Sequence, residues 1–148
     1  MNRTRNIILS LIACLVLAAC STMPDPAKSK YVTTEGAGFG INDGEVFYGI
    51  TYTLNQTFAD RVYISIEFEN PSNPSQPYNI KKYIPVGISS FSNESPKFNA
   101  IRNNTNYKIV LKLYRDPEYT KLFATHIDHV RFSVPNELME IKGISELK

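Results

Sequence analysis

The chain has 148 residues, of which 43% are hydrophobic and 20% charged, enough for one modest domain with a real core. Lys and Arg number 16, but without Arg3 and Arg5 of the extreme N-terminus they fall to 14, level with the 14 acids. A neutral domain excludes nucleic-acid binding by charge, and the two cysteines, Cys14 and Cys20, both near the N-terminus, exclude a disulfide-stapled fold.

The first six residues, MNRTRN, hold two arginines and no acid. Ile7 to Cys20 then form a 14-residue apolar run. A membrane-spanning helix needs about 20 apolar residues, so this run is too short to cross a bilayer. A basic start, a short apolar stretch and small residues at its end form the pattern of a signal peptide. Leu17-Ala18-Ala19-Cys20 resembles the lipobox of bacterial lipoproteins. The resemblance implies a diacylglyceryl group on the Cys20 thiol, cleavage before Cys20 and further acylation of the new N-terminus. Residues 1–19 are then a leader, and Cys20 carries the lipid in place of any cofactor. By the sorting pattern of that family, Ser21 directs the protein to the outer membrane, facing the periplasm. An inner membrane, or the single membrane of a Gram-positive cell, is the lesser alternative.

Residues 20–38 read as the lipidated cysteine and a flexible tether: STMPDPAKSK has two prolines and no periodicity. EGAGFG (Glu35 to Gly40) has three alternating glycines, but no preceding strand or following lysine to make a phosphate loop. It reads as a flexible approach to the first strand.

Residues 39–135 carry the fold. In EVFYGITYTL, Val46, Tyr48, Ile50, Tyr52 and Leu54 share one face. In RVYISIEFE, Val62, Ile64, Ile66 and Phe68 do so, and in YKIVLKLY, Tyr107, Ile109, Leu111 and Leu113. Such alternation marks half-buried antiparallel strands. NDG (Asn42 to Gly44) marks a tight turn, NPSNPSQP (Asn70 to Pro77) a loop, and RDPE (Arg115 to Glu118) a hairpin connection. YNIKKYIPVG and SSFSNESPKF, with Lys81, Lys82 and Pro85, read as edge strands. In KLFATHIDHVRFSV, Phe123 and Ile127 have one parity while Val130, Phe132 and Val134 have the other, so a bulge is expected near Asp128-His129. About seven strands and no confident helix predict an all-β, immunoglobulin-like antiparallel β-sandwich. IRNNTNYKIVL resembles the tyrosine corner of fibronectin type III and immunoglobulin-like domains, which implies a bond from the Tyr107 hydroxyl to upstream backbone. Residues 136–148 read as a packed tail or short helix, with Asn136 as a possible cap and Gly143 as an interruption.

The chemistry-bearing residues are few. His126, Asp128 and His129 would suit a metal or small ligand only if the bulge turned them together. Glu67 and Glu69 stand about 6.5–7 Å apart on one strand face, a spacing open to glycoside chemistry but more usual for a solvated surface. No nucleophile motif is present, and the chain is expected not to be an enzyme. The expected role is that of a protein-binding or accessory component of the cell envelope, acting through Tyr63, Tyr78, Tyr114 and Tyr119. A subunit of a secretion or pilus assembly is a specific version of it, and a small-ligand or metal-binding envelope protein using His126, Asp128 and His129 is the alternative.

Overall fold

The computed structural model describes residues 29–148. The leader, Cys20 and the first part of the tether lie outside the described residues. Among the described residues no helix is long and apolar enough to cross a membrane.

Seven strands form two antiparallel sheets. One contains β1 (Val32–Asn42), β2 (Glu45–Leu54) and β5 (Ser90–Glu94), in the order β1-β2-β5. The other contains β3 (Val62–Phe68), β4 (Tyr78–Ile84), β7 (Thr105–Tyr114) and β8 (Leu122–Phe132), in the order β4-β3-β7-β8. The chain crosses between sheets after β2, after β4 and before β7, which packs their apolar faces together as a β-sandwich. The expected edge strands, β4 and β5, are both edges.

The period-two faces of β2, β3 and β7 supply the core. Tyr48, Tyr52, Ile64, Ile66, Phe68, Tyr107, Ile109, Leu111 and Leu113 are fully buried. The Tyr107 hydroxyl donates to the Arg102 carbonyl at 3.0 Å and accepts from the Arg102 N–H at 2.8 Å. The expected corner is therefore built, and it ties the approach to β7 onto the start of that strand.

The first strand begins earlier than the sequence implied. Residues 32–38 are strand, not tether, and β1 pairs along the whole of β2. The register shifts between Thr34 and Gly36, leaving Glu35 as the extra residue. This bulge lets Val32 and Thr34 face inward before it, and Phe39 and Ile41 after it. Gly36, Gly38 and Gly40 take the outward positions, where the Phe47 ring lies over Gly40. Asn42 and Glu45 close a two-residue hairpin, with Asp43 and Gly44 at φ 48° and 78° as a tight reversal demands.

The bulge expected near Asp128-His129 is absent. Pairing of β8 with β7 is continuous from Ala124 to Phe132, and the irregularity falls at Leu113/Tyr114, where Phe123 is the extra residue. His126, Asp128, Val130 and Phe132 all point inward, and Ile127 is exposed. Hydrophobic parity fails here because two polar side chains occupy the inner face.

The C-terminal segment packs. Helix α1 (Asn136–Lys142) has Pro135, not Asn136, at its N-cap, and Gly143 ends it in the left-handed conformation (φ 68°) rather than interrupting it. Met139 and Ile144 join the core. A two-residue strand, β9 (Ser145–Glu146), then pairs in parallel with β6 (Ala100–Ile101).

Candidate functional site

The outer face of the four-stranded sheet carries a row of aromatics. Register places Tyr83 of β4 opposite Tyr63 of β3, Tyr63 opposite Tyr114 of β7, and Tyr114 opposite Leu122 of β8. Residues paired in this way stand on the same face of a sheet, close enough for their side chains to touch. Tyr63 and Tyr83 have ring centroids 6.4 Å apart.

Tyr119 completes the patch from the β7–β8 connection, residues 115–121. Its ring lies 5.4 Å from Tyr114 and 6.1 Å from Tyr63, edge-on to both. Its hydroxyl reaches the Lys82 carbonyl at 3.4 Å, so the loop leans across the sheet as far as β4. Tyr119 holds φ at 58°, an unfavourable conformation for an aromatic residue. The loop enforces it through Asp116, whose buried carboxylate accepts from the Thr120 N–H at 3.0 Å, the Thr120 hydroxyl at 2.7 Å and the Lys121 N–H at 2.6 Å. Burial raises the Tyr119 phenol above its ordinary pKa, helped by Tyr63.

Two cations flank these rings. Lys81 Nζ sits 4.6 Å from the Tyr119 centroid, and the Arg61 guanidinium 5.0 Å from that of Tyr83. Tyr83 and Leu122 are 50% and 51% exposed. The result is an amphipathic surface of large rings with few rotatable bonds, rimmed by positive charge.

Tyr78 does not belong to it. It pairs with Phe68 at the far end of β4 and packs against the core. The loop beside it is folded on itself, with the Asn70 side chain accepting from the Ser72 N–H at 3.0 Å. Tyr83 takes its place in the patch. The sequence marked β4 as an edge strand, and its alternation Tyr83, Lys81, Asn79 was the available signal.

His126 and Asp128 come together, and His129 does not join them. His129 is on the outer face opposite Lys108, because the unbroken pleat alternates sides. The inner pair is enclosed in the seam between the sheets. Thr34 donates to Asp128 Oδ1 at 2.7 Å, and the Tyr52 hydroxyl donates to Oδ2 at 3.1 Å. His126 Nε2 lies 2.9 Å from Thr34 Oγ1 and 3.3 Å from Asp128 Oδ2. Thr34 spends its one proton on Asp128, so His126 Nε2 is the donor in their contact. Desolvation alone would raise the Asp128 pKa, but donors from His126, Thr34 and Tyr52 hold it below the ordinary carboxylate value. Burial and the Asp128 charge push the Tyr52 phenol far up. These four side chains satisfy one another and fasten β8 to β1 and β2.

Glu67 and Glu69 are each engaged by a cation. Lys112 pairs with Glu67, and Arg102 with Glu69 at 3.1 Å, while the Lys108 N–H donates to the other Glu69 oxygen at 3.0 Å.

No family model and no curated protein matches the chain. Among solved structures, a calcium-binding mutant of Bacteroides uniformis beta-glucuronidase 2 is similar over 69% of this chain, at 12% identity and a TM-score of 0.45. The chain corresponds to 13% of that chain.

Proposed function

We propose that the protein is a lipoprotein, anchored through Cys20 in the outer membrane and facing the periplasm, whose non-catalytic β-sandwich binds another protein of the envelope. The observation that carries the binding role is the row Tyr83, Tyr63 and Tyr114 with Tyr119 folded over it. Rings of this kind offer large contact area at little conformational cost and are enriched where proteins meet. The strained φ of Tyr119 supports the same reading, since a loop that holds an aromatic in that conformation is dedicating it to a position. The anchoring rests on Leu17 to Cys20 and the short apolar run before them. The pairing of Glu67 with Lys112 and Glu69 with Arg102 supports a structural role for both carboxylates.

Photo-crosslinking in intact cells tests the surface. A photoreactive residue at Tyr83 or at Tyr119 is expected to give a discrete protein adduct, and one at Ser92, exposed on the opposite sheet, is expected to give none. No adduct from either tyrosine position, or the same adducts from Ser92, would overturn the choice of face.

A further inference from the structure

The sandwich has two unlike ends. The chain leaves β2 at Leu54 and enters β1 at Val32, and these two residues are paired. The N-terminal segment therefore enters at the end that also holds the connections 55–61, 85–89 and 115–121. The β1–β2 turn, α1 and β9 lie at the other end, where Gly44 approaches the Lys142 carbonyl.

The entry end brings exposed apolar side chains, aromatic rings and cations together. Its 85–89 connection, PVGIS, projects Val86 and Ile88, which are 57% and 45% exposed. Gly87 sits between them at φ 85°, and the Ile88 N–H returns to the Pro85 carbonyl at 3.3 Å. The turn thus holds two branched apolar side chains out at its tip. Beneath them is a cleft of about 290 Å³, floored by Leu54, Phe58, Val62 and Ile84.

Beside the tip, Tyr31, Phe58 and Phe123 form an aromatic cluster, with Tyr31 5.2 Å and Phe58 5.8 Å from Phe123. Lys30 lies 5.1 Å from the Tyr31 ring, and Arg115 lies 4.5 Å from that of Phe123. Arg61 and Lys121 are exposed at the same end. The acids there are Asp60, Glu118 and Asp116, and Asp116 is turned inward onto its own loop. The rings are half-buried against the core, and apolar tips beside such rings and cations on flexible stems are what a lipid headgroup region accommodates.

The length of the chain before Ser29 says which surface this end meets. Nine residue steps separate Cys20 from Ser29, a reach of at most about 30 Å even when fully extended. A lipid on Cys20 keeps this end beside the bilayer at high effective concentration, where weak contacts suffice.

We propose that the entry end, led by Val86 and Ile88, docks on the bilayer that holds the Cys20 lipid. This rests on the lipoprotein reading above. Docking stands the sandwich upright, with α1 farthest from the membrane. It also puts the tyrosine row at the side of the domain just above the headgroups, so the partner meets it close to the membrane surface.

The chain has no tryptophan, so one introduced residue is a clean reporter. The full-length protein is purified from membranes as Val86→Trp, Ile88→Trp or Glu140→Trp, the last on α1, and placed in vesicles whose acyl chains carry bromine. Mass spectrometry of the N-terminal peptide of each sample establishes the state of Cys20. Docking predicts that Val86→Trp and Ile88→Trp lose about half their emission to the brominated chains and Glu140→Trp about a tenth or less, since interfacial side chains reach about 5–10 Å into the headgroup and acyl boundary. If Cys20 carries lipid and both tip reporters are quenched no more than Glu140→Trp, the docking is wrong and the anchor stands. An unmodified Cys20 overturns both together.

Discussion

The imidazole of His126 and the carboxylate of Asp128 face each other at 3.3 Å in the seam between the two sheets, both side chains about 5% exposed. Thr34 and Tyr52, reaching in from the opposite sheet, satisfy the carboxylate. The arrangement is a polar clamp between the two packed sheets, and its consequences are measurable.

Acid should open this clamp. The Asp128 pKa is held below its ordinary value of 3.8 by donors that outweigh its desolvation. A carboxylate whose folded pKa is depressed contributes stability above its unfolded pKa and loses it as pH falls through the folded one. The wild-type melting temperature should therefore be supported by this group above about pH 5 and lose that support below about pH 4. Asp128→Asn, which has no such charge to lose, should show a shallower acid slope. Parallel melting curves for the two proteins from pH 7 to 3 would contradict the linkage.

Removing one member should be costly. Asp128→Ala leaves Thr34, Tyr52 and His126 without their shared acceptor, and a buried donor left unsatisfied costs about 1–3 kcal/mol. Denaturant melts read the loss directly, and a change under about 1 kcal/mol would mean that water replaces the carboxylate.

The tyrosine corner offers a smaller test. Tyr107→Phe keeps the ring in the core but strips both hydrogen bonds from the Arg102 backbone. A loss of about 1–3 kcal/mol is expected, the cost of leaving buried polar groups unsatisfied. Hydrogen exchange at the Arg102 amide should rise in the same variant, and unchanged exchange would show that the hydroxyl does not hold this turn.

At the far end, Gly143 closes α1 with φ at 68°. Gly143→Ala should destabilise by about 1–2 kcal/mol, because a side chain in the left-handed region crowds the following carbonyl. The loss should come with faster exchange of the Ser145 and Leu147 amides, which donate to Asn99 and Ile101. A stability equal to wild type would mean that the helix end relaxes without help from glycine.

How far the sequence speaks varies from strand to strand. The inner faces of β2, β3 and β7 were legible because every second residue is a large hydrophobe and register follows from parity. β1 was half hidden because glycine holds its outward positions, so there was no polar residue to alternate against Phe39 and Ile41. β8 misled for the opposite reason. His126 and Asp128 are polar and face inward while Ile127 is apolar and faces out, and the partners that permit this, Thr34 and Tyr52, are distant in sequence. In the tyrosine patch, Tyr63, Tyr114 and Tyr119 were visible as candidates, whereas grouping Tyr78 with them required a register the sequence does not contain. Pairing Phe68 with Tyr78 puts that residue at one end of β4 and Tyr83 at the other.

The row itself predicts a separation of binding from folding. Tyr83 is 50% exposed at the edge of the sheet, so Tyr83→Ala should change stability by about 0.5 kcal/mol or less. If Tyr83 anchors the partner, the same change should weaken association by about 2 kcal/mol, roughly thirtyfold. Crosslinking from Tyr119 in a Tyr83→Ala background checks this: adduct yield should collapse while the melting temperature holds. Undiminished yield would remove Tyr83 from the interface.

The proposed anchor would hold both the tyrosine row and the entry end at one membrane, and it rests on a lipid at Cys20. The most direct measurement is labelling of growing cells with radioactive palmitate, comparing the wild type with Cys20→Ser. Lipidation at Cys20 predicts a labelled wild-type protein of the size that begins at Cys20, recovered with the outer membrane, and an unlabelled Cys20→Ser protein. A wild-type chain that takes up no label, or label that persists in Cys20→Ser, would contradict it.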